Sequence, residues 1–346
     1  MCHRPIGVRT IVLSDLHLGT RLRRDVLRSP RALDALLESL EGVDRLVLLG
    51  DVVELLEGHP ERVTEVAEPV LRAIGAKLGS GRQVIVVPGN HDAALVRPWL
   101  PDAGGRLAVD TRVPAGATPW LARVAAWLEP ASVRVHYPGV WLSERVWATH
   151  GHYLDRHLLP ESAFGAARGL LGRLPRDGAT PEDYEAGPSL TRLEAILTRW
   201  LPRPLAAGFD DLAELLRAAT MPGIPRRLLR RRIAPVMATM LGAQMHRASM
   251  PALARVVHRL GVDADWVIFG HVHRCGPLPG DDPVRWRGPG GRPRMANSGS
   301  WVYEPLLLHG ATPPHPYWPG GAVLVEDDGA PRAIGLLDHL DAAAPH

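Results

Sequence analysis

The chain has 346 residues, of which 46% are hydrophobic, so it is long enough and apolar enough to form a large folded core. This composition excludes a largely disordered chain. The 40 Lys and Arg residues stand against 37 Asp and Glu residues, a formal net charge of +3. This small excess of positive charge is only weak evidence for a nucleic-acid partner.

The cysteine content and the hydropathy of the sequence indicate in which compartment the protein is found. The two cysteines, Cys2 and Cys275, provide no disulfide framework, and a reduced compartment is the default for such a chain. The first residues contain no apolar signal-peptide core, and no stretch reaches the roughly 18 apolar residues of a membrane span. The sequence therefore predicts a soluble, cytoplasmic protein without a transmembrane segment.

Short apolar runs alternate with amphipathic segments in the first part of the chain. Segments 29–42 and 60–79 have helical periodicity, and in the first of them Ser29 is a candidate N-cap followed by Pro30 at the first helical position. The alternation of strands and helices predicts an α/β layered fold. The apolar runs that predict strands lie at residues 8–17, 44–51, 82–92 and 145–152.

The pattern changes after residue 152. Residues 153–261 lack strand-like runs and have helical periodicity, so we interpret them as a helical insert, or cap, within one domain. The first part of that domain is 1–152 and the second part is 262–346. Strand-like runs return in the second part, where residues 321–337 predict a hairpin with Asp-Asp-Gly at its turn.

The insert contains the strongest cluster of arginines in the chain, at residues 225–235. One interpretation is a solvated helix face. The other is a lid whose guanidinium groups bind phosphate, or contact a nucleic-acid backbone.

Polar side chains follow five apolar runs, the four given above and a fifth at residues 266–270, at the point where each run ends. Because the carboxyl ends of parallel strands meet at one edge of a sheet, we expect these side chains to lie close together. A single histidine after a strand is more often structural, but an ordered set of ligand-type residues at five strand ends is not expected by chance. The set consists of Asp15, His17, Asp51, Asn90, His91, His150, His271 and His273.

In chain order these motifs resemble those of the calcineurin-like metallophosphoesterase superfamily. The resemblance covers residues 8–152 and 262 to about 336, and it does not cover the insert. It implies a four-layer αββα sandwich with a helical insertion. The motifs read Asp15-Leu16-His17, Gly50-Asp51, Gly89-Asn90-His91-Asp92, His150-Gly151 and Gly270-His271-Val272-His273.

The resemblance also implies a dinuclear site of two divalent cations, bridged by Asp51. The ligands, imidazole nitrogens and oxygens without thiolate, favour manganese, iron or zinc, and manganese is frequent in the superfamily. One cation would be bound by Asp15, His17, Asp51 and His273. The other would be bound by Asp51, Asn90, His150 and His271.

The activity that the resemblance implies is hydrolysis of a phosphomonoester, a phosphodiester or a pyrophosphate. A hydroxide that bridges the metals would attack phosphorus, and His91 would assist the leaving group. We expect a small phosphorylated substrate, or one linked to a nucleotide or lipid. The sequence identifies no substrate-binding residue and no protein partner. The alternatives are a nuclease that acts on DNA and a catalytically silent metal-binding scaffold.

Two subfamilies can be compared with the chain. Val52-Val53-Glu54 differs from the Asp-Arg-Gly of the Ser/Thr protein phosphatases, which argues against that group. The Asp-Leu-His-Leu sequence, Glu54 and the insert are similar to the UDP-2,3-diacylglucosamine pyrophosphate hydrolases. Because that group usually has Arg at the position of His91, we take this kinship as architectural.

The sequence leaves the roles of several other polar residues open. Glu54 either orients His91 or caps the following helix, and Asn297 either lines the pocket or stabilises a turn. Asp92 is expected to be a local turn or cap residue rather than a catalytic one. We expect His152 and His157 to be solvated.

Overall fold

The computed structural model describes residues 8–20, 23–102, 107–158, 174–186, 234–304, 307–308, 311–327 and 329–340, with side chains from residue 247 onwards in the fifth of these ranges. The arginines of the 225–235 cluster therefore lie outside the described residues.

Twelve strands and five α-helices are present in the described ranges. The helices are α1 (Pro30–Ser39), α2 (Pro60–Leu78), α3 (Pro119–Trp127), α4 (Pro181–Glu185) and α5 (Ala234–Arg259). The strands are β1 (Thr10–Leu13), β2 (Arg45–Leu48), β3 (Gln83–Val86), β4 (Thr111–Val113), β5 (Ser132–Tyr137), β6 (Gly139–Ser143), β7 (Val146–Thr149), β8 (Trp266–Phe269), β9 (Cys275–Gly276), β10 (Arg294–Ser298), β11 (Gly321–Val325) and β12 (Arg332–Gly335).

Helices α1 to α4 share a start signal. Each has proline at its first helical position, where the missing N–H group costs no hydrogen bond and the fixed φ suits the helix. The two helices predicted from periodicity, α1 and α2, are confirmed. Ser29 precedes α1 as its N-cap, although its side chain makes no capping hydrogen bond.

The strands form two sheets. Sheet I has seven strands in the order β12-β11-β1-β2-β3-β5-β4, and sheet II has five in the order β6-β7-β8-β10-β9. In sheet I, β1, β2, β3 and β5 are parallel, and in sheet II β7, β8 and β10 are parallel. The predicted C-terminal hairpin is confirmed as the antiparallel pair β11 and β12.

The two sheets pack face to face and helices cover their outer faces. On the outer face of sheet I, residues such as Leu13 and Leu46 share a core with Leu36 of α1 and Ile74 of α2. Residues of α4 and α5 pack on sheet II around Trp147 and Phe269. The four-layer αββα sandwich is therefore confirmed. Between the sheets lie Val12, Val47, Leu49, Ile85, Val87, Val140, Val146, Ala148, Ile268, Ala296, Val323 and Val325.

The described part of residues 153–261 contains helices and no strand. Its elements are most of a short 3₁₀ helix at His152–His157, then α4, then α5, with a loop at residues 174–180 before α4. Within the described residues, no helix combines the length and apolarity that a membrane crossing requires.

Candidate metal centre

The five strand ends predicted to converge do so. Backbone hydrogen bonds join the loops that follow the strands: the N–H of Asp15 donates to the Gly50 carbonyl at 3.0 Å, and the N–H of His17 donates to the Asp51 carbonyl at 2.8 Å. In the same way the N–H of Gly270 donates to the His150 carbonyl at 3.0 Å. The loops of each sheet therefore fix one another's positions.

Strained backbone is concentrated in these loops. Left-handed backbone costs a non-glycine residue on the order of 1–3 kcal/mol and is retained mainly where the surroundings enforce it. Among described non-glycine residues, positive φ occurs outside the loops only at Arg23 and Asp327. Within the loops it occurs at Asp15 (55°), His17 (44°), Asp51 (53°), His271 (66°) and His273 (56°).

The motif glycines give the ligand-type side chains room. A Cβ atom at Gly50 would lie 2.3 Å from Nδ1 of His150, and one at Gly270 would lie 2.5 Å from Oδ2 of Asp15. Any side chain at these positions would displace a residue of the centre.

The first group of possible ligands is Asp15, His17 and His273, whose donor atoms all lie within 4.8 Å of one another. Oδ1 of Asp15 is 3.2 Å from Nε2 of His273 and 3.9 Å from Nε2 of His17. These are three of the four residues that the resemblance implies for one cation, the fourth being Asp51.

The second group is Asp51, His150 and His271, again with donor atoms within 4.8 Å of one another. Nε2 of His150 is 3.1 Å from Oδ2 of Asp51 and 3.0 Å from Oδ1 of Asn90. The same Oδ2 of Asp51 is 3.7 Å from Nε2 of His17 in the first group. One oxygen of Asp51 therefore lies between the two groups.

Each carboxylate is anchored through its other oxygen. Oδ2 of Asp15 accepts the N–H of His271 at 2.9 Å, and Oδ1 of Asp51 accepts the N–H of His91 at 2.8 Å. These bonds fix the side chains while the remaining oxygens face the histidines.

His17 and His150 are held through the ring nitrogen that faces away from the centre, and His271 has an acceptor as well. Nδ1 of His17 donates to Glu54 at 2.8 Å, and Nδ1 of His150 donates to the Leu49 carbonyl at 2.9 Å. Nε2 of His271 lies 2.8 Å from Oδ1 of Asp155. Such acceptors fix the tautomer and orientation of a ligand. The contribution of Asp155 was not predicted, because nothing in its local sequence marks it.

His91 contacts the centre from one side. Its Nδ1 lies 2.9 Å from Oε2 of Glu54, which also accepts from His17, and the rings of His91 and His17 meet edge to face at 4.6 Å. Of the two interpretations of Glu54, the structure shows the orienting one. The hydrogen bonds also account for the close grouping of His17, Glu54 and His91.

The electrostatics of the centre favour positive charge. Burial opposes ionisation, but neighbouring histidines hold the pKa of Asp51 well below its usual range and lower the pKa of Asp15 to about 2. Burial likewise opposes protonation of His150, yet the charges of Asp51 and Asp15 raise its pKa to about 9. For His91, the charges of Asp51 and Glu54 outweigh burial and raise its pKa to about 10.

The residues present fit divalent cations. Oδ1 of Asp15 and Nε2 of His17 are buried and have no hydrogen-bond partner, although buried polar atoms are normally satisfied. Both face their group across distances that a cation can bridge. The donors are imidazole nitrogens, carboxylate oxygens and an amide oxygen, a set suited to manganese, iron or zinc.

Two residues near the motifs have structural roles. Asp92 is fully buried and accepts the N–H groups of Val52 and Gly89, as expected of a turn residue. Asn297 is also fully buried; it donates to the Gly270 carbonyl at 2.7 Å and accepts the Gly299 N–H. These backbone hydrogen bonds agree with the interpretation that Asn297 stabilises a turn.

The expectation that His152 and His157 are solvated is wrong. His157 is 5% exposed and lies between the hydroxyl of Tyr184 and the guanidinium of Arg259. The side chain of His152 is 14% exposed, and its Nε2 lies 3.7 Å from Oε1 of Glu185. Their shielding partners belong to the insert, so the local sequence gave no sign of them.

Comparison with known proteins gives a family for the first half of the chain. Residues 8–171 match the family model described as calcineurin-like phosphoesterase. The match supports a phosphoesterase hydrolase, and the chemistry of that family is metal-dependent. The match includes every motif up to His150-Gly151 and ends before the motif that contains His271 and His273.

Two solved structures align with most of the chain at low sequence identity and low structural similarity. A crystal structure of the cold-active protein-tyrosine phosphatase of a psychrophile, Shewanella sp., aligns with 94% of this chain and 80% of that chain, at 13% identity and a TM-score of 0.30. A second structure of a cold-active protein tyrosine phosphatase covers 94% and 79%, at 14% identity and a TM-score of 0.30. Scores this low support no inference about this chain.

Proposed function

We propose that the chain is a dinuclear metal-dependent phosphoesterase and that Asp51 bridges its two cations. The supporting observation is the position of Oδ2 of Asp51, 3.1 Å from Nε2 of His150 and 3.7 Å from Nε2 of His17. Those two nitrogens belong to different ligand groups. A carboxylate oxygen between them suits a shared ligand.

The proposed ligand sets follow the two groups. Asp15, His17, Asp51 and His273 would hold one cation, and Asp51, Asn90, His150 and His271 the other. Two divalent cations, when bound, supply positive charge for the phosphoryl oxygens and lower the pKa of the attacking water. Because Asp15 and Asp51 are the only anionic members of the two sets, they offset only part of that charge, and an anionic substrate is favoured.

His91 is the proposed proton donor to the leaving oxygen. Glu54 holds Nδ1 of His91, which leaves Nε2 free to donate. The backbone N–H of His91 also holds Asp51, so the motif ties the proton donor to the bridging carboxylate. Glu54 accepts from both His17 and His91 and thereby fixes their relative orientation.

The insert is proposed to form one side of the substrate site. Its first turn reaches the centre through the contact of Asp155 with His271, and Glu185 of α4 approaches His152. These contacts support a cap at residues 153–261. We propose a small phosphorylated substrate. Manganese is the first metal to test, and the proposed location is the cytoplasm.

The test is hydrolysis by metal-stripped protein refilled with Mn²⁺, Zn²⁺ or Fe²⁺. The substrates are p-nitrophenyl phosphate and bis-p-nitrophenyl phosphate, with Asp51→Asn as the variant and Asp34→Asn, at an exposed position of α1, as the matched control. We expect metal-dependent turnover that Asp51→Asn abolishes and Asp34→Asn retains. The ratio of the two rates assigns the enzyme as a monoesterase or a diesterase. Turnover that persists in metal-free protein or in Asp51→Asn would contradict the proposal.

A further inference from the structure

Asp155 reaches the candidate metal centre from outside the five sequence motifs. Its Oδ1 lies 2.8 Å from Nε2 of His271, and the two side chains are 24% and 14% exposed. A carboxylate this close to a partly shielded imidazole accepts a strong hydrogen bond.

The turn that carries Asp155 is held firmly. Asp155 belongs to the short helix His152–His157, in which Leu154 is fully buried. The ring of Tyr153 stacks on Tyr184 of the insert, with centroids 4.7 Å apart and planes 9° from parallel. At the end of the turn, His157 lies between Tyr184 and Arg259. Asp155 therefore projects from a packed support rather than from an open loop.

The hydrogen bond determines which nitrogen of His271 can act as a ligand. An ionised carboxylate only accepts, so Nε2 of His271 must carry the proton and the lone pair is left on Nδ1. His273, the other histidine of the same motif, uses the other ring nitrogen towards the centre. Nε2 of His273 faces Asp15 at 3.2 Å, and its Nδ1 is 4.0 Å from Glu304, beyond hydrogen-bond distance.

We propose that Asp155 is a positioning residue that fixes the tautomer of His271, so that Nδ1 faces Asp51 and His150. This inference rests on the proposed function, because it concerns one of the two cation sites. It makes the affinity of that site depend on the first turn of the insert. Outer hydrogen-bond partners of metal-binding histidines typically change metal affinity by roughly 10- to 100-fold.

The test is calorimetric titration of the metal-stripped full-length chain with Mn²⁺. The chains compared are wild type, Asp155→Ala, Asp155→Asn and the control Asp34→Ala, which removes an exposed carboxylate from α1. We expect wild type and Asp34→Ala to bind two Mn²⁺. Asp155→Ala should weaken one of the two sites by roughly 10- to 100-fold and leave the other unchanged. Asp155→Asn should recover much of the loss, because its amide oxygen can still accept from Nε2.

A second readout does not depend on activity or on metal. Nitrogen chemical shifts of ¹⁵N-histidine-labelled, metal-free protein report the tautomer of His271. Wild type should show the Nε2–H form, and Asp155→Ala should show a mixture. Equal Mn²⁺ affinities in wild type and Asp155→Ala, or an unchanged tautomer, would overturn this inference alone. A wild-type chain that binds no Mn²⁺ would overturn the proposed function as well.

Discussion

Gly50→Ala should damage the metal centre through a single methyl group. Gly50 has a φ of +85°, and the added Cβ would lie 2.3 Å from Nδ1 of His150. Since real contacts of a Cβ are rarely closer than 3.4 Å, the ring must move by about 1.1 Å. That movement breaks the bond from His150 to the Leu49 carbonyl and takes Nε2 away from Asp51.

The cost has two parts. Left-handed backbone costs an alanine roughly 1–2 kcal/mol, and the lost buried hydrogen bond adds roughly 1–3 kcal/mol. We therefore expect Gly50→Ala to lower the free energy of unfolding by about 2–5 kcal/mol and to weaken Mn²⁺ binding. Urea denaturation and Mn²⁺ titration measure the two effects.

Gly261→Ala is the matched control. Gly261 has a φ of +66°, and a Cβ there would meet no atom within 4 Å. The substitution should cost roughly 1–2 kcal/mol of stability and leave Mn²⁺ affinity unchanged. Equal effects of the two substitutions on metal affinity would refute the steric reasoning.

Two further predictions concern histidines. His91→Gln should reduce kcat by roughly 10²- to 10⁴-fold without loss of bound Mn²⁺, because the backbone N–H that holds Asp51 remains; loss of metal would contradict the proposed role. The second prediction concerns stability in acid. Burial and the charges of Arg259 and neighbouring arginines lower the pKa of His157 from 6.5 to about 4. Between these pH values the unfolded chain binds more protons than the folded chain, so the free energy of unfolding falls as the pH drops from 6.5 towards 4. His157→Gln, which can accept from Arg259 and donate to Tyr184, should remove on the order of 1–2 kcal/mol of this acid sensitivity. Parallel pH dependences of the urea midpoint for wild type and variant would count against it.

The strands that carry the centre could be predicted because of where they lie. β1, β2, β3, β7 and β8 are parallel and covered on both faces, so each is a continuous apolar run that ends in a polar motif. Within each sheet the convergence of the motifs followed from the shared edge of parallel strands, and the face-to-face packing of sheets I and II brings the two edges together.

The sequence predicts the other strands less clearly. β5 has the sequence Ser-Val-Arg-Val-His-Tyr, in which polar and apolar residues alternate, and β4 and β9 have only three and two residues. β10 (Arg-Met-Ala-Asn-Ser) is mostly buried, but three of its five residues are polar, so hydropathy does not separate it from a loop.

Contacts across long stretches of chain could not be predicted. Asp155 meets His271 across 116 residues, and His157 meets Arg259 across 102. Such pairs depend on how the insert packs against sheet II, and no local pattern encodes that packing. The ligand-type residues were visible because their motifs adjoin strands; their supporting acceptors were not.

A crystal structure with Mn²⁺, located by anomalous diffraction, tests the dinuclear centre most directly. We expect two peaks, roughly 3.5–4 Å apart, one on each side of Asp51. One should lie beside Asp15, His17 and His273, and the other beside His150 and His271. A single peak, or two peaks that do not share Asp51, would contradict the assignment of a dinuclear centre bridged by this carboxylate.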